Sequence, residues 1–467
     1  MLRVAAMSRP ALPLIGLVLP CLPALLSGAE KAELTLLNSQ LVEYSPAFKP
    51  WDIGAEFRAR DEVKDDAGVT PNTDFVSGIA DSREALYFRE KVHVGYKDEW
   101  FSAFVEGRDA SGHEDIKADD AFDLHQAYFT LGNAKEFPLI AKIGRQEMVY
   151  GDERMIGRGD WNNTGRSFDA IKLRLENSFG WVDAFTGRVV VVDDGNFNVS
   201  NDYDQFSGLY AGTKKLIPWQ ETQAYFLARN YGVKGPNAVS PGNPGSPSTQ
   251  RDIYTIGTYW KSDAEALNGW DYSFETAYQF GSVYNKAQDT RLDQDSYAVF
   301  ANAGYTWQKT RGKPRLGLAY DHGSGDSDST DGEVETFENL FGTQHRPYGL
   351  MDLAGPRNMH IPKITTSVKP VKGLTLNADF MGFYLADTSD SFYPESGSGR
   401  SGNGYGIKPG NSSFVGTELD LYANYKVTSW ANFQLGYGHF FVGDYIKESV
   451  GNTTDADWFY TQATLTF

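Results

Sequence analysis

Four arginines stand close together in one polar stretch: Arg145, Arg154, Arg158 and Arg166. A guanidinium keeps its charge at any physiological pH and offers five N–H donors in a flat fork. That fork matches a carboxylate, so grouped arginines suit the binding and steering of acidic solutes. Arg58, Arg89, Lys91, Arg108, Lys172 and Arg174 sit in neighbouring segments and could extend the same positive surface. The opposing possibility is structural. Asp152, Asp160, Asp169, Glu106 and Glu176 lie among these cations, and buried charges are usually paired. Both can hold at once.

The elements that must position these residues read as strands. In Trp51–Arg60, Ile53 and Phe57 take one face while Asp52, Glu56, Arg58 and Arg60 take the other. In Glu84–Lys97, Leu86, Phe88, Val92, Val94 and Tyr96 alternate with Arg89, Lys91 and His93. Phe414–Val427 sets Val415, Leu419, Leu421, Ala423, Tyr425 and Val427 against Glu418, Asp420, Tyr422, Asn424 and Lys426. The last ten residues, Trp458–Phe467, alternate in the same way and end on an aromatic residue. Period two marks strands with two unlike faces. Eighteen such segments are readable; Asn358–Lys369, with Pro362, is the least regular of them.

The connections decide the architecture. Long ones follow odd strands, among them Asp61–Arg83, Tyr150–Gly165, His322–Arg357 and Asp387–Ser413. Short ones follow even strands, among them Lys97–Glu99, Asn177–Gly180, Pro370–Gly373 and Thr428–Ser429. This pattern predicts an all-β fold: a transmembrane up-and-down antiparallel β-barrel of 18 strands, with long outer loops and short periplasmic turns. A soluble β-helix or sandwich would need a repeated motif or two buried sheet faces, and no fixed period exists.

Composition agrees. Aromatic residues make up 14% and apolar residues only 41%, which fits aromatic girdles around a polar lumen. No stretch after residue 30 stays apolar for the length that a helical span needs. Residues 1–29 read as a signal peptide: Arg3 and Arg9, an apolar run from Ala11 to Leu26, then Ser27-Gly28-Ala29. The only cysteine, Cys21, lies inside that leader, so the remainder has no disulfide framework. Residues 30–50 form an N-terminal segment expected in the periplasm, and 51–467 form the barrel. The formal charge of −18 falls by two to −20 without the leader, which argues against nucleic acid as a partner. If the Tyr150–Gly165 loop folded inward, its arginines would narrow the lumen; rings of Arg or Lys select anions. Arg145 follows Leu139, Ala141 and Ile143 on the expected lipid face. A bulge or the end of the membrane band must redirect it.

Gly144-Arg145-Gln146 at a strand top, Tyr150-Gly151-Asp152-Glu153-Arg154, then Trp161 and Gly165-Arg166-Ser167-Phe168-Asp169 together resemble the alginate-export domain family of outer-membrane proteins. Phe337–His345, Tyr348–Asp352 and Gly416–Leu421 also look like that family. The resemblance covers most of residues 50–467 and implies an 18-stranded monomeric barrel in the bacterial outer membrane. It implies passage of an anionic polysaccharide, alginate-like, or its oligosaccharides. The expected partners are that solute, outer-membrane lipid and lipopolysaccharide, the barrel assembly machinery that reads an aromatic C-terminal strand, and periplasmic export components.

Two other functions compete. A porin for small hydrophilic solutes needs the same barrel without selectivity. An outer-membrane hydrolase needs a histidine beside a serine or acid, and His93, His125 and His439 show no local partner pattern. No motif asks for a cofactor. The acidic run Gly323–Glu333 does not match an EF-hand loop and reads as a solvated outer loop.

Overall fold

The computed structural model describes residues 35–467 apart from 69, 80, 114–118, 233–249, 264–265, 286–289 and 396. The expected leader, 1–29, lies outside the described residues.

Eighteen strands form the wall. The first nine are β1 (Trp51–Asp65), β2 (Arg83–Lys97), β3 (Phe101–His113), β4 (Asp120–Leu131), β5 (Leu139–Gln146), β6 (Phe168–Glu176), β7 (Trp181–Val191), β8 (Val199–Ile217) and β9 (Gln220–Tyr231). The rest are β10 (Arg251–Ser262), β11 (Trp270–Asn285), β12 (Thr290–Thr306), β13 (Arg315–Gly323), β14 (Met359–Val368), β15 (Leu374–Leu385), β16 (Phe414–Lys426), β17 (Ala431–Val442) and β18 (Ala456–Thr466). Each pairs antiparallel with its sequence neighbours, and β18 pairs with β1 from Glu56↔Thr466 to Asp65↔Asp457. Closure leaves no unpaired edge in lipid, the condition for spanning a bilayer with strands. A two-residue strand, Glu333–Val334, runs parallel to β12 at Asp293 and Gln294, beyond the wall proper.

Alternation sets the faces as expected. Trp458, Tyr460 and Gln462 are buried inside, while Phe459 points out. The last residue is tied down: Phe467 N–H donates to the Ala55 carbonyl at 2.7 Å. Exposed Trp51, Trp100, Trp219, Trp270 and Trp307 border the short turns, as one aromatic girdle. Pro362 lacks an N–H, and the β14–β15 pairing skips from His360↔Tyr384 to Lys363↔Met381 around it. No helix among the described residues is long and apolar enough to cross a membrane.

Three features differ from the sequence reading. Strands β1, β8 and β12 run several residues past the expected ends, so some outer loops are shorter than read. A helix, α1 (Leu36–Tyr44), occupies part of the aperiodic 30–50 segment; its N-cap Thr35 accepts from the Asn38 N–H at 3.2 Å. A second helix, α2 (Asp444–Val450), lies in the last outer loop.

The core lies inside the barrel. Long loops fold inward and bury their apolar residues against the inner wall. Loop 147–167 contributes Met148, Tyr150, Met155 and Ile156; loop 324–358 contributes Phe337, Leu340, Phe341, Tyr348, Leu350 and Met351. The two loops join by a parallel bridge, Ile156↔Phe341, with Gly157 N–H to Phe341 O at 2.9 Å and Phe341 N–H to Met155 O at 3.0 Å.

Candidate functional site in the barrel lumen

The inward loops meet the wall at Trp161. Its ring stacks on His345 with centroids 3.7 Å apart and an interplanar angle of 6°. Trp458 and Tyr460 of β18 meet it edge-on at 5.9 and 5.1 Å. The Arg60 guanidinium lies 3.8 Å from its ring centroid and donates to its carbonyl at 2.6 Å. A desolvated cation–π contact is worth about 2 kcal/mol and a ring stack about 1 kcal/mol, so Trp161 is a strong anchor. Burial holds the His345 imidazole below its usual pKa despite Asp352, which accepts from Nδ1 at 2.9 Å. At neutral pH this plug element is an uncharged ring on a ring.

The cations expected from sequence fall into distinct groups. Arg58, Arg89 and Lys91 converge on Asp160 of the inward loop. Arg89 reaches its carboxylate at 3.0 Å, Arg58 at 3.9 Å and Lys91 at 4.0 Å. Arg58 also donates to the Asp160 carbonyl at 2.6 Å. Burial opposes ionisation of Asp160, but Arg89, Lys91 and Arg58 outweigh it and hold the carboxyl far below its usual range. Arg158 is half exposed, 4.0 Å from Glu153. Arg154 is largely covered and pairs with the buried Asp321 at 3.2 Å, near the rings of Phe300 and Tyr348. Arg166 donates to the carbonyls of Gly157, Phe341 and Gly342, stapling the two loops together.

Arg108 pairs with Asp120 and donates to His125 Nδ1 at 2.8 Å; His125 Nε2 then faces Glu147 at 2.9 Å. Because arginine only donates, the imidazole proton must be on Nε2. Glu106, His125 and Glu147 cluster closely enough to suggest a metal. Lys91, about 4 Å from both carboxylates, already supplies the positive charge there. Lys172 and Arg174 share the buried Asp183, at 3.7 and 2.6 Å. Asp183 also accepts from Tyr150 at 2.7 Å.

Arg145 stands apart from these. Gly144 has φ +126° and kinks the end of β5. Arg145 pairs with Asp169 at 2.8 Å and donates to the carbonyls of Leu124 and Asn198. Asp169 shares its strand face with exposed Ile171, Leu173 and Leu175 on β6. The side chain is therefore not redirected: it keeps the outward parity of Ile143 at the end of the strand, where Asp169 pairs it and Phe197 and Asn198 cover it, and it holds the rim of the wall. All five acids weighed against the cations are in ion pairs; Asp152 pairs with Lys261 and Glu176 with Arg174.

Sequence reasoning missed cations in the later strands. Arg229, Arg251 and Arg357 surround Glu338 at 3.1, 3.3 and 3.7 Å. Burial would raise the Glu338 pKa, but the three guanidiniums hold it at about 2. With Arg166 they line a cavity of about 700 Å³, in which Glu338 and Glu395 are the acidic lining residues. Strand parity at Arg229 was the available signal. A larger cavity, about 1130 Å³, opens toward the short turns. It is lined by Arg58, Arg158, Lys313, Arg346, Lys369, Lys372 and Lys426, and its acidic lining residues are Glu153 and Asp160. Turn lysines such as Lys369 and Lys372 carry no periodic signal that would assign them to a lumen.

A closed 18-stranded barrel with inward loops and a charged lumen defines the class: an outer-membrane channel of porin type, in the bacterial outer membrane. Within that class the chain belongs to the alginate export family, whose model matches residues 49–459. No curated protein sequence matches it. Solved structures with the same fold include OccK2 (OpdF) of Pseudomonas aeruginosa in complex with glucuronate, at 12% identity and TM-score 0.55, covering 89% of this chain and 98% of that one. OpdK of Pseudomonas aeruginosa has the same identity, TM-score and coverage. OccAB4 of Acinetobacter baumannii is similar at 10% identity and TM-score 0.53, covering 89% and 97%.

Proposed function

We propose that this channel passes an anionic saccharide, an alginate-like polyuronate or its oligosaccharides, along an arginine-rich path. The observation that carries this is the charge inventory of the inner cavity: seven basic side chains line it against two acidic ones, in a chain whose total charge is −18. A net-acidic protein that gathers its cations in the lumen attracts anions there. Glucuronate, bound by the fold relative OccK2, belongs to the same solute class. The remaining proposed partners are outer-membrane lipid and lipopolysaccharide around the wall, the barrel assembly machinery acting on β18, and periplasmic components feeding the pore.

Single-channel recording across a salt gradient tests the reading. Anion selectivity is expected, with current blocked by oligouronate and unaffected by neutral oligosaccharide of equal length. A cation-selective pore indifferent to oligouronate overturns it. A second reading, a small-solute porin, is favoured by the Trp161–His345 stack, which lies in the lumen on the lining of the inner cavity. Liposome swelling with monosaccharides alone, without polymer passage, would support it. Of the histidines weighed for a hydrolase, His125 has both ring nitrogens engaged, while His93 and His439 each face a carboxylate, Asp52 at 3.3 Å and Asp457 at 2.8 Å.

A further inference from the structure

Around Asp160 the partners differ sharply in freedom. The side chains of Arg58, Arg89 and Lys91 are 3%, 2% and 11% exposed, whereas that of Asp160 is 47% exposed and lines the inner cavity. The other acids in reach are Glu56 at 2.6 Å from Arg89, and Glu106 and Glu147 at about 4 Å from Lys91. Glu56 and Glu106 belong to wall strands, and Glu147 directly follows the end of β5. Asp160 alone sits mid-loop. The cluster thus joins three buried cations to four carboxylates, of which Asp160 is the most exposed and the one carried mid-loop.

We propose that Arg58, Arg89 and Lys91 form a carboxylate-binding subsite that the chain fills with its own Asp160, and that a uronate carboxylate arriving from the inner cavity displaces it. This rests on the anionic-saccharide reading above. The chemistry is symmetric: a substrate carboxylate offers the same two acceptor oxygens as Asp160. A tethered carboxylate competes at an effective concentration in the millimolar range, so a single free carboxylate displaces it weakly. A polyuronate, presenting many carboxylates at once, displaces it well. When Asp160 leaves, Arg58 loses part of its hold on the 160–162 backbone, and the Trp161 anchor loosens with it.

The test is block of single-channel current by glucuronate, added to the short-turn side of the full-length protein in planar bilayers. Wild type is compared with Asp160→Asn, Asp160→Ser and Glu153→Gln. The last removes the other acid of the cavity, so it has the same effect on net charge. The half-blocking concentration should fall about tenfold in both Asp160 variants, since competition is removed, and less than twofold in Glu153→Gln. Equal shifts in all three variants would mean simple charge screening and overturn the subsite. An anion-selective wild type with block unchanged in both Asp160 variants overturns the subsite but leaves the channel reading standing. A cation-selective wild type that glucuronate never blocks overturns the anionic-saccharide reading itself.

Discussion

Arg166 acts through hydrogen bonds more than through charge. Its guanidinium satisfies carbonyls on both inward loops, at Gly157, Phe341 and Gly342. Leaving buried acceptors unsatisfied costs roughly 1–3 kcal/mol each. Arg166→Ala should therefore give noisier, larger single-channel currents, and Arg166→Lys should not restore the wild-type trace because a lysine lacks the planar fork. Two acids fix the pH response. Glu338 is held at about 2, so its contribution is complete above the ordinary glutamate range and is lost only as pH falls through about 2. Asp326 behaves oppositely: burial and the facing Asp390 raise it to about 6. Its ionised form strains the loop above that pH, and the strain is relieved as pH falls through 6. The protection factors of the Asp326 and Asp328 amides, exchange rates corrected for the intrinsic pH dependence, should rise between pH 7 and pH 5, and Asp390→Asn should weaken that rise, burial of Asp326 remaining.

At the scale of elements, the end of β5 depends on one glycine. A Cβ on Gly144 would collide with the Ala127 carbonyl oxygen, and φ +126° disfavours any side chain. Gly144→Ala should cost roughly 1–3 kcal/mol or more. It should also lower the fraction of protein that migrates as a folded, heat-modifiable barrel on gels. Strand β18 has two duties. Its backbone closes the wall on β1, and its inner face carries Trp458 and Tyr460, which seat Trp161. It carries no inward charge, so it positions the loop that bears charge without itself attracting solute.

At the scale of the whole molecule, wall and plug are separable. Wall stability comes from strand pairing all round the barrel, whereas the plug rests on loops 147–167 and 324–358. Replacing residues 151–163 by a short glycine linker should leave the barrel folded and raise single-channel conductance several-fold. Unchanged conductance would mean that this loop does not obstruct the path.

The wall was legible because it obeys a local rule. In a bilayer each strand must show lipid one face and the lumen another, so residues such as Leu86 and Arg89 declare their sides by parity alone. Loop alternation then counts the strands. The helices α1 and α2 escaped because pieces of nine and seven residues are too short to leave a clear periodic trace. The site was only partly legible. Sequence could gather Arg145 to Arg166 as neighbours in the chain, but Arg145 ends on the rim. Glu338 and its three arginines come from β9, β10 and loop 324–358. What joins them is the inward fold of long loops, a tertiary event driven by burying Ile156, Phe341 and Trp161 against the wall. The sequence by itself determined a closed barrel with charged residues inside; which charges face one another was decided only when the loops entered it.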